Sequence, residues 1–261
     1  MPTQEMCDVQ EMYDVVVPAG GRISGEFAEQ AGTEIKALIR FEEETILRRT
    51  IKALRASGCV HRIAVIGPEE VLAEARESGA DLTLPEGTTG PDNIFRGLDG
   101  LTNVSSYLLI ATGDMPFLAP EGVRDFLTLC PDETEICIPI IERNAFETLY
   151  PGLIRTDTPL RDGFFRLGGL YRVKVSALRQ VRPHLEQMFA ARKNNFQMAK
   201  LIGIPFIVRY AFRRLTVDQI VARASEIIQC SAAAVRHVPP ELAFDIDLPE
   251  ELAYARKLNQ R

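Results

Sequence analysis

The chain has 261 residues, 46% of them hydrophobic and 25% charged, and a formal net charge of −6. This length suits one large α/β domain with a sizeable buried core. The acidic balance argues against a phosphate backbone as partner, so no nucleic acid is expected. The five cysteines (Cys7, Cys59, Cys130, Cys137 and Cys230) form no CxxC pair. That pattern argues against a zinc site or a disulfide framework and fits a reducing cytoplasm. The opening MPTQEMCDVQEMYD is acidic and lacks the apolar centre of a secretory signal. No window of about 18 apolar residues predicts a membrane span.

Residues 14–18, DVVVP, form an unalternated β-branched run and predict a short buried strand. After it comes Ala19-Gly20-Gly21-Arg22, then a long polar loop that reaches Lys36. A helix is predicted over 43–57, with Ile46, Leu47, Ile51 and Leu54 on one face and Gly58 as its stop. RIAVIG at 62–67 reads as a second strand, 69–78 as a helix and 82–84 as a third strand. Pro91 and Asp92 suit the start of a helix over 92–101. YLLIATGD at 107–114 is the strongest strand signal and carries Asp114 at its carboxyl end. A helix over 120–129 and a strand over 135–141 follow.

This alternation predicts a three-layer α/β/α, Rossmann-like, mostly parallel sheet, whose ligands bind at the carboxyl ends of the strands. Residues 149–175 mix turns with short strands. Residues 183–229 read as broken helix, interrupted at Gly203 and Pro205. A strand near 232–237 and FDIDLPEELAYARK at 244–257 complete the pattern, the latter as an extended piece and then a helix with Pro249 in its first turn. The expected organisation is a single domain over 1–261. Its parts are a first part at 14–141, a second at 142–182, a helical insertion at 183–230, and a closing strand and helix at 231–258.

Glycines directly after a strand let consecutive backbone N–H groups approach an anion, and Lys36 and Arg22 add positive charge. The loop has neither GxxxxGK[ST] nor GxGxxG, so it is not a Walker loop or a dinucleotide fingerprint. Asp114 at a strand end suits a divalent cation. Asp245 and Asp247 lie two residues apart and share one side if the segment is extended, although helix capping at 249 is an equal claim on them. Separated carboxylates, a lysine and a phosphate-binding loop together fit Mg²⁺-assisted transfer at a nucleoside triphosphate.

Five pieces in order, AGG at 19–21, KAL at 36–38, GPDNIFRGL at 90–98, ATGDMPF at 111–117 and FDIDLPEEL at 244–252, resemble the MobA-like nucleotidyltransferases of the nucleotide-diphosphosugar transferase (GT-A-like) fold. The resemblance implies transfer of a nucleoside monophosphate from an NTP to a small, phosphorylated acceptor, with pyrophosphate released. It implies that Ala19, Gly20, Gly21 and Arg22 line the triphosphate, that Lys36 acts on the reacting phosphates, and that Gly90 and Asn93 lie near the base or ribose. It further implies Mg²⁺ on Asp114 and Asp245, with Asp247 in reserve. The loop departs from the family pattern: fourteen residues separate its glycines from Lys36, and Glu26 stands where a basic residue is expected. The alternative is therefore a nucleotide- or sugar-nucleotide-binding protein of the same fold without catalysis. A glycosyltransferase ranks last, because it wants a DxD motif where this chain has GDMP.

On the acceptor side, Arg166, Gly168 and Gly169 are the candidates, as a cation beside glycines that permit close backbone approach. From Gln187 to Val217 there is no acid, while Arg192, Lys193, Lys200, Arg209, Arg213 and Arg214 are present. This segment reads as a packed helical insertion with a solvated basic face, as a cradle for a phosphorylated acceptor or, through 192–214, as a peripheral membrane contact.

Overall fold

The computed structural model describes residues 12–153, 157–191 and 203–259. Its nine-stranded sheet is mixed but mostly parallel, as the alternation of strand and helix predicted. The first half builds β1 (Tyr13–Pro18), β4 (Val60–Gly67), β5 (Leu82–Pro85) and β6 (Tyr107–Ala111), with β1 between β4 and β6 and β5 outside β4, all parallel. Val15 and Val17 bury against one helical layer and Val16 against the other, so the strand carries β-branched residues without alternation.

Helices α2 (Ile46–Ala56), α3 (Glu69–Glu77) and α5 (Pro120–Leu129) cover one face, and α4 (Gly90–Gly100) covers the other. α2 begins at Thr45, whose hydroxyl accepts from Arg48 N at 3.1 Å, and ends before Gly58 in a left-handed conformation. α4 begins at Thr89, which accepts from Asp92 N at 3.1 Å. Gly97 brings α4 onto the sheet: a Cβ there would lie 2.5 Å from Val16 Cγ1 and 2.7 Å from Ile66 Cδ1.

The second half departs from a simple alternation. β7 (Ile136–Glu142) runs parallel to β6 but does not touch it, because β10 (Leu170–Lys174) lies between them, antiparallel to both. β9 (Gly163–Leu167) also pairs antiparallel with β7, further along, so β9 and β10 are one strand interrupted at Gly168-Gly169. At that break Gly168 N donates to Pro139 O (2.9 Å), Gly169 N donates to Leu242 O (2.7 Å) and Gly169 O accepts from Thr112 N (2.8 Å). β8 (Thr158–Leu160) flanks β9, and β11 (Ala232–Val235) pairs parallel with β7.

α6 (Arg143–Leu149) follows β7, and α7 (Val175–Ala191) follows β10. The broken helical region continues as α8 (Ile204–Ala211) and α9 (Val217–Ile228), and α10 (Pro249–Asn259) ends the described chain. Among the described residues no helix is long and apolar enough to cross a membrane.

Three segments differ from expectation. The polar loop holds a short helix, α1 (Glu26–Ala31), between glycines at 25 and 32 that both have positive φ. The predicted helix over 43–57 starts only at Ile46, because β2 (Arg40–Phe41) and β3 (Glu44–Thr45) pair as a hairpin that turns at Glu42, φ 56°. The strand predicted to reach Asp114 stops at Ala111, and Thr112-Gly113-Asp114 leaves the sheet as a turn.

Candidate active site

At the carboxyl ends of β1 and β6, three distant parts of the chain converge. The first is the glycine loop with Lys36. Its length does not displace the lysine, because the excursion is closed at its base. Arg22 bridges Ile35, Ile23 N donates to Glu34 O at 2.9 Å, and Lys36 N donates to Gly21 O at 3.0 Å. The intervening residues, α1 among them, bulge outward. Lys36 opens a one-turn 3₁₀ helix (Lys36–Leu38), and its aliphatic stem passes Gly21 at van der Waals distance from where a Cβ would stand.

The second part is the turn after β6. Asp114 precedes Met115, which is fully buried and whose carbonyl accepts from the buried Thr50 hydroxyl of α2 at 3.4 Å. Gly113 packs closely on the glycine loop: a Cβ there would stand 3.0 Å from Ala19 Cβ.

The third part is FDID. Phe244 and Ile246 are fully buried, Phe244 packing its ring on Phe117 and Tyr150 at 4.8 and 4.7 Å. Alternation then turns Asp245 and Asp247 to the opposite side, toward Asp114. The capping role that competed for these aspartates falls to Glu251, whose carboxylate accepts from Asp247 N at 2.6 Å and Leu248 N at 3.0 Å.

Asp114, Asp245 and Asp247 each bring a carboxylate oxygen within 4.8 Å of the others. Lys36 Nζ hydrogen-bonds Asp247 and stands 3.7 Å from Asp114 Oδ2. Burial opposes the lysine charge, but the Asp247 bond and the fields of all three aspartates outweigh it and hold the pKa above the ordinary lysine value. Lys36 is therefore cationic at neutral pH. Asp114 is shifted the other way: burial raises its pKa, Asp247 adds to the rise, and Lys36 offsets only part. Asp114 Oδ1 is buried with no hydrogen-bond partner among the described residues. A hard cation that takes oxygen ligands fits such a group.

Other site residues predicted from sequence hold the rim. Arg22 folds back, with Nη1 donating to Gly20 O at 2.7 Å and Nη2 pairing with Glu86 Oε1 at 2.6 Å. The missing side chain at Gly20 leaves the room that the Glu86 carboxylate fills. Asn93 Oδ1 accepts from Gly87 N at 2.6 Å and so braces the turn that carries Glu86. Gly90 opens α4 beside Phe189 of α7. Ala19 N donates to Ile66 O at 2.8 Å, tying the glycine loop to β4.

Glu26 lies in the first turn of α1, where Gln30 donates to it, and the acids paired with the site cations are Glu86 on Arg22 and Asp247 and Asp114 on Lys36. Sequence reasoning passed over Glu86. Its signal was the one used for Asp114, an acid immediately past the end of a parallel strand.

The acceptor-side candidates are set into packing. Gly168 and Gly169 make the break between β9 and β10. A Cβ on Gly169 would collide with the Thr112 hydroxyl and stand 2.7 Å from Met115 Sδ, directly under Asp114. Arg166 is buried, paired with Asp157 and stacked 3.9 Å over the Phe146 ring. Arg192, Lys193 and Lys200 lie outside the described residues.

The model of the MobA-like NTP transferase domain matches residues 15–169, more than half of the chain. The chain belongs to that family. A hypothetical transferase structure from Thermus thermophilus is 30% identical to this MobA-like chain, covering 92% of it and 99% of that protein, with a TM-score of 0.80. The 4-diphosphocytidyl-2C-methyl-D-erythritol synthase of Anaerococcus prevotii, 13% identical, shares the fold over 96% of this chain and 99% of its own, with a TM-score of 0.61. A 3-deoxy-manno-octulosonate cytidylyltransferase of Cytophaga hutchinsonii is 25% identical over 118 residues, or 44% of this chain. The MobA-like chain spans about half the length of that relative (47%). The match of the family model ends at the Gly168-Gly169 break, so Asp245 and Asp247 lie outside it and rest on the geometry above.

Proposed function

We propose that the protein transfers a nucleoside monophosphate from an NTP to a small phosphorylated acceptor and releases pyrophosphate. The observation that carries this reading is a charged lysine set between the carboxylates of Asp114 and Asp247 at the mouth of the parallel strands. Cytidine is the first base to test, because two of the similar proteins are named for cytidylyl chemistry.

In this reading the backbone amides of Gly20 and Gly21 meet the triphosphate, and Arg22 exchanges Glu86 for it. Lys36 offsets the charge that develops as the acceptor oxygen attacks the α-phosphorus and the bond to the β-phosphate breaks. Asp114 and Asp245 would hold a Mg²⁺ ion, with Asp247 beside them, and when bound the ion supplies neutralisation of phosphate oxygens. Glu86 and the Asn93-braced turn face the nucleotide from the rim.

The test is pyrophosphate release with Mg²⁺, with CTP and then the other NTPs, against a pool of sugar and polyol phosphates. A working pair should lose about 10²–10³-fold in kcat in Lys36→Met, the range for removing one preorganised charge partner. Binding without transfer is the second reading, favoured by the tie of Arg22 to Glu86 and the Gly20 carbonyl. Calorimetric NTP binding with no release from any pair would establish it.

A further inference from the structure

We propose that the knob formed by the end of α8 and the turn after it is a docking surface for an anionic lipid bilayer. Residues 208–214, Val-Arg-Tyr-Ala-Phe-Arg-Arg, are all exposed, with Phe212 at 69% and Val208 at 48%. Seven consecutive exposed residues that include two aromatics, a valine, three arginines and no acid run against a chain whose net charge is −6. The folding of the knob is specific. Arg214 N donates to Arg209 O and Arg213 N to Tyr210 O, both at 2.8 Å, and Arg213 takes a left-handed φ of 53°. This is a Schellman termination with arginine where glycine is the usual choice. It gathers Val208, Tyr210 and Phe212 with the guanidinium groups into one compact turn, in which Arg214 lies 5.8 Å from the Phe212 ring centroid.

The charges around the knob keep it basic. Arg209 Nη2 is held by the neutral Gln219 Oε1 at 3.0 Å. Two acids at the start of α9, which follows the knob, are engaged elsewhere: Asp162 takes Arg236 at 2.8 Å and Val217 N, and Asp218 lies 4.0 Å from the same arginine. Arg161, whose backbone N donates to Leu215 O, adds a fourth exposed cation beside the knob. Aromatic side chains flanked by arginines suit the headgroup boundary, where the rings enter the acyl edge and the guanidinium groups meet lipid phosphates. A second copy docked knob to knob about a two-fold axis would set arginines against arginines, so the charge pattern favours the lipid. Arg192, Lys193 and Lys200 take no part in this argument.

The experiment is co-sedimentation of the full chain with vesicles of phosphatidylcholine alone and of equal parts phosphatidylcholine and phosphatidylglycerol. Binding is expected only to the mixed vesicles and should fall as salt is raised. An arginine beside an anionic surface is worth about fivefold in partitioning, so Arg209→Gln, Arg213→Gln and Arg214→Gln together should weaken binding about a hundredfold. Phe212→Ser should weaken it while leaving the salt dependence unchanged, which separates insertion from charge attraction alone. Both variants should keep the parent melting temperature and whatever nucleotide binding the parent shows, so a failure of this surface is distinct from a failure of the active-site reading. Absence of binding to mixed vesicles would overturn the proposal, as would equal binding to neutral ones. So would insensitivity to both variants, or a dimer that Phe212→Ser dissolves, which would give the knob to a second copy.

Discussion

Asp114→Asn should make the protein more stable while abolishing its chemistry. Three carboxylates within 4.8 Å of one another repel by about 3–4 kcal/mol per pair at an effective dielectric near 20. The largest attraction Asp114 has in return, Lys36 at 3.7 Å, amounts to about 4–5 kcal/mol on the same scale, and the Thr112 hydroxyl can bond an amide as it does the carboxylate. Removing the charge therefore relieves two repulsions and forfeits the main attraction, and Lys36 keeps Asp247. The difference is about 2–3 kcal/mol, reduced to about 1–2 because the Asp247 side chain is 51% exposed and partly screened. For a chain of this size that is a rise in Tm of about 4 °C.

The sign of the pH dependence follows from the direction of the Asp114 shift. Its folded pKa lies above the unfolded value, so the ionised group costs stability at neutral pH, and the cost disappears as the pH falls toward the ordinary carboxylate range. The gain in Asp114→Asn should thus be full above the raised folded pKa and shrink as the pH falls toward the ordinary carboxylate range. Thermal melts of both proteins from pH 7 downward, without divalent ions, measure it. Added Mg²⁺ with NTP should raise the parent Tm and leave the variant unmoved. A fall in Tm in Asp114→Asn at neutral pH would refute the reasoning, because the carboxylates would then be a satisfied network with Lys36.

Other outcomes follow from neighbouring contacts. Gly169→Ala should cost about 1–3 kcal/mol by overpacking against Thr112 and Met115; a lower kcat with unchanged acceptor KM would mark the glycine as support for Asp114, and a raised acceptor KM would mark it as an acceptor contact. Glu86→Gln should free Arg22 and tighten inorganic triphosphate, a probe without a base, by up to about fivefold, the range of an exposed ion pair; unchanged affinity in calorimetry would show that Arg22 does not turn to phosphate. Asp157→Asn should lose about 3–5 kcal/mol in urea melts, because Arg166 stays buried without its partner. Burial works against the Asp157 charge, but its arginine partners outweigh this and hold its pKa below the ordinary value. The difference from the parent should therefore be full above about pH 4 and shrink as the pH falls through the depressed folded value.

The first half of the fold was readable because β1, β4 and β6 are buried on both faces, which writes them as unbroken apolar runs with turn residues after them. From there the position of Asp114 followed, since a carboxylate past a parallel strand can only sit on the ligand edge. The insertion of β10 between β6 and β7 was not readable: it depends on pairing between Arg172 and Leu109 across some sixty positions, and period-2 patterning is silent on which neighbour a strand chooses. That Gly168-Gly169 breaks a strand and presses on Thr112, Met115 and Leu242 was not readable, because a missing Cβ signals close approach without saying what approaches. Nor could sequence show that Glu251 accepts from the backbone N–H groups of Asp247 and Leu248 ahead of the helix. From sequence alone, two aspartates before Pro249 were as good a cap as an acid two residues after it.

Lys36 and Asp247 meet across 211 positions of the chain, and Asp114, which lies between them in sequence, flanks the same lysine. During synthesis, then, the glycine loop and the Asp114 turn emerge well before FDID, and the cluster lacks two of its three acids until residues 245–247 have been added. A chain made only that far holds Lys36 beside Asp114 without the other two carboxylates that surround the lysine. Proteolytic loss of the segment that carries FDID would leave the same remnant, so the three-acid cluster exists only while both halves of the domain are joined.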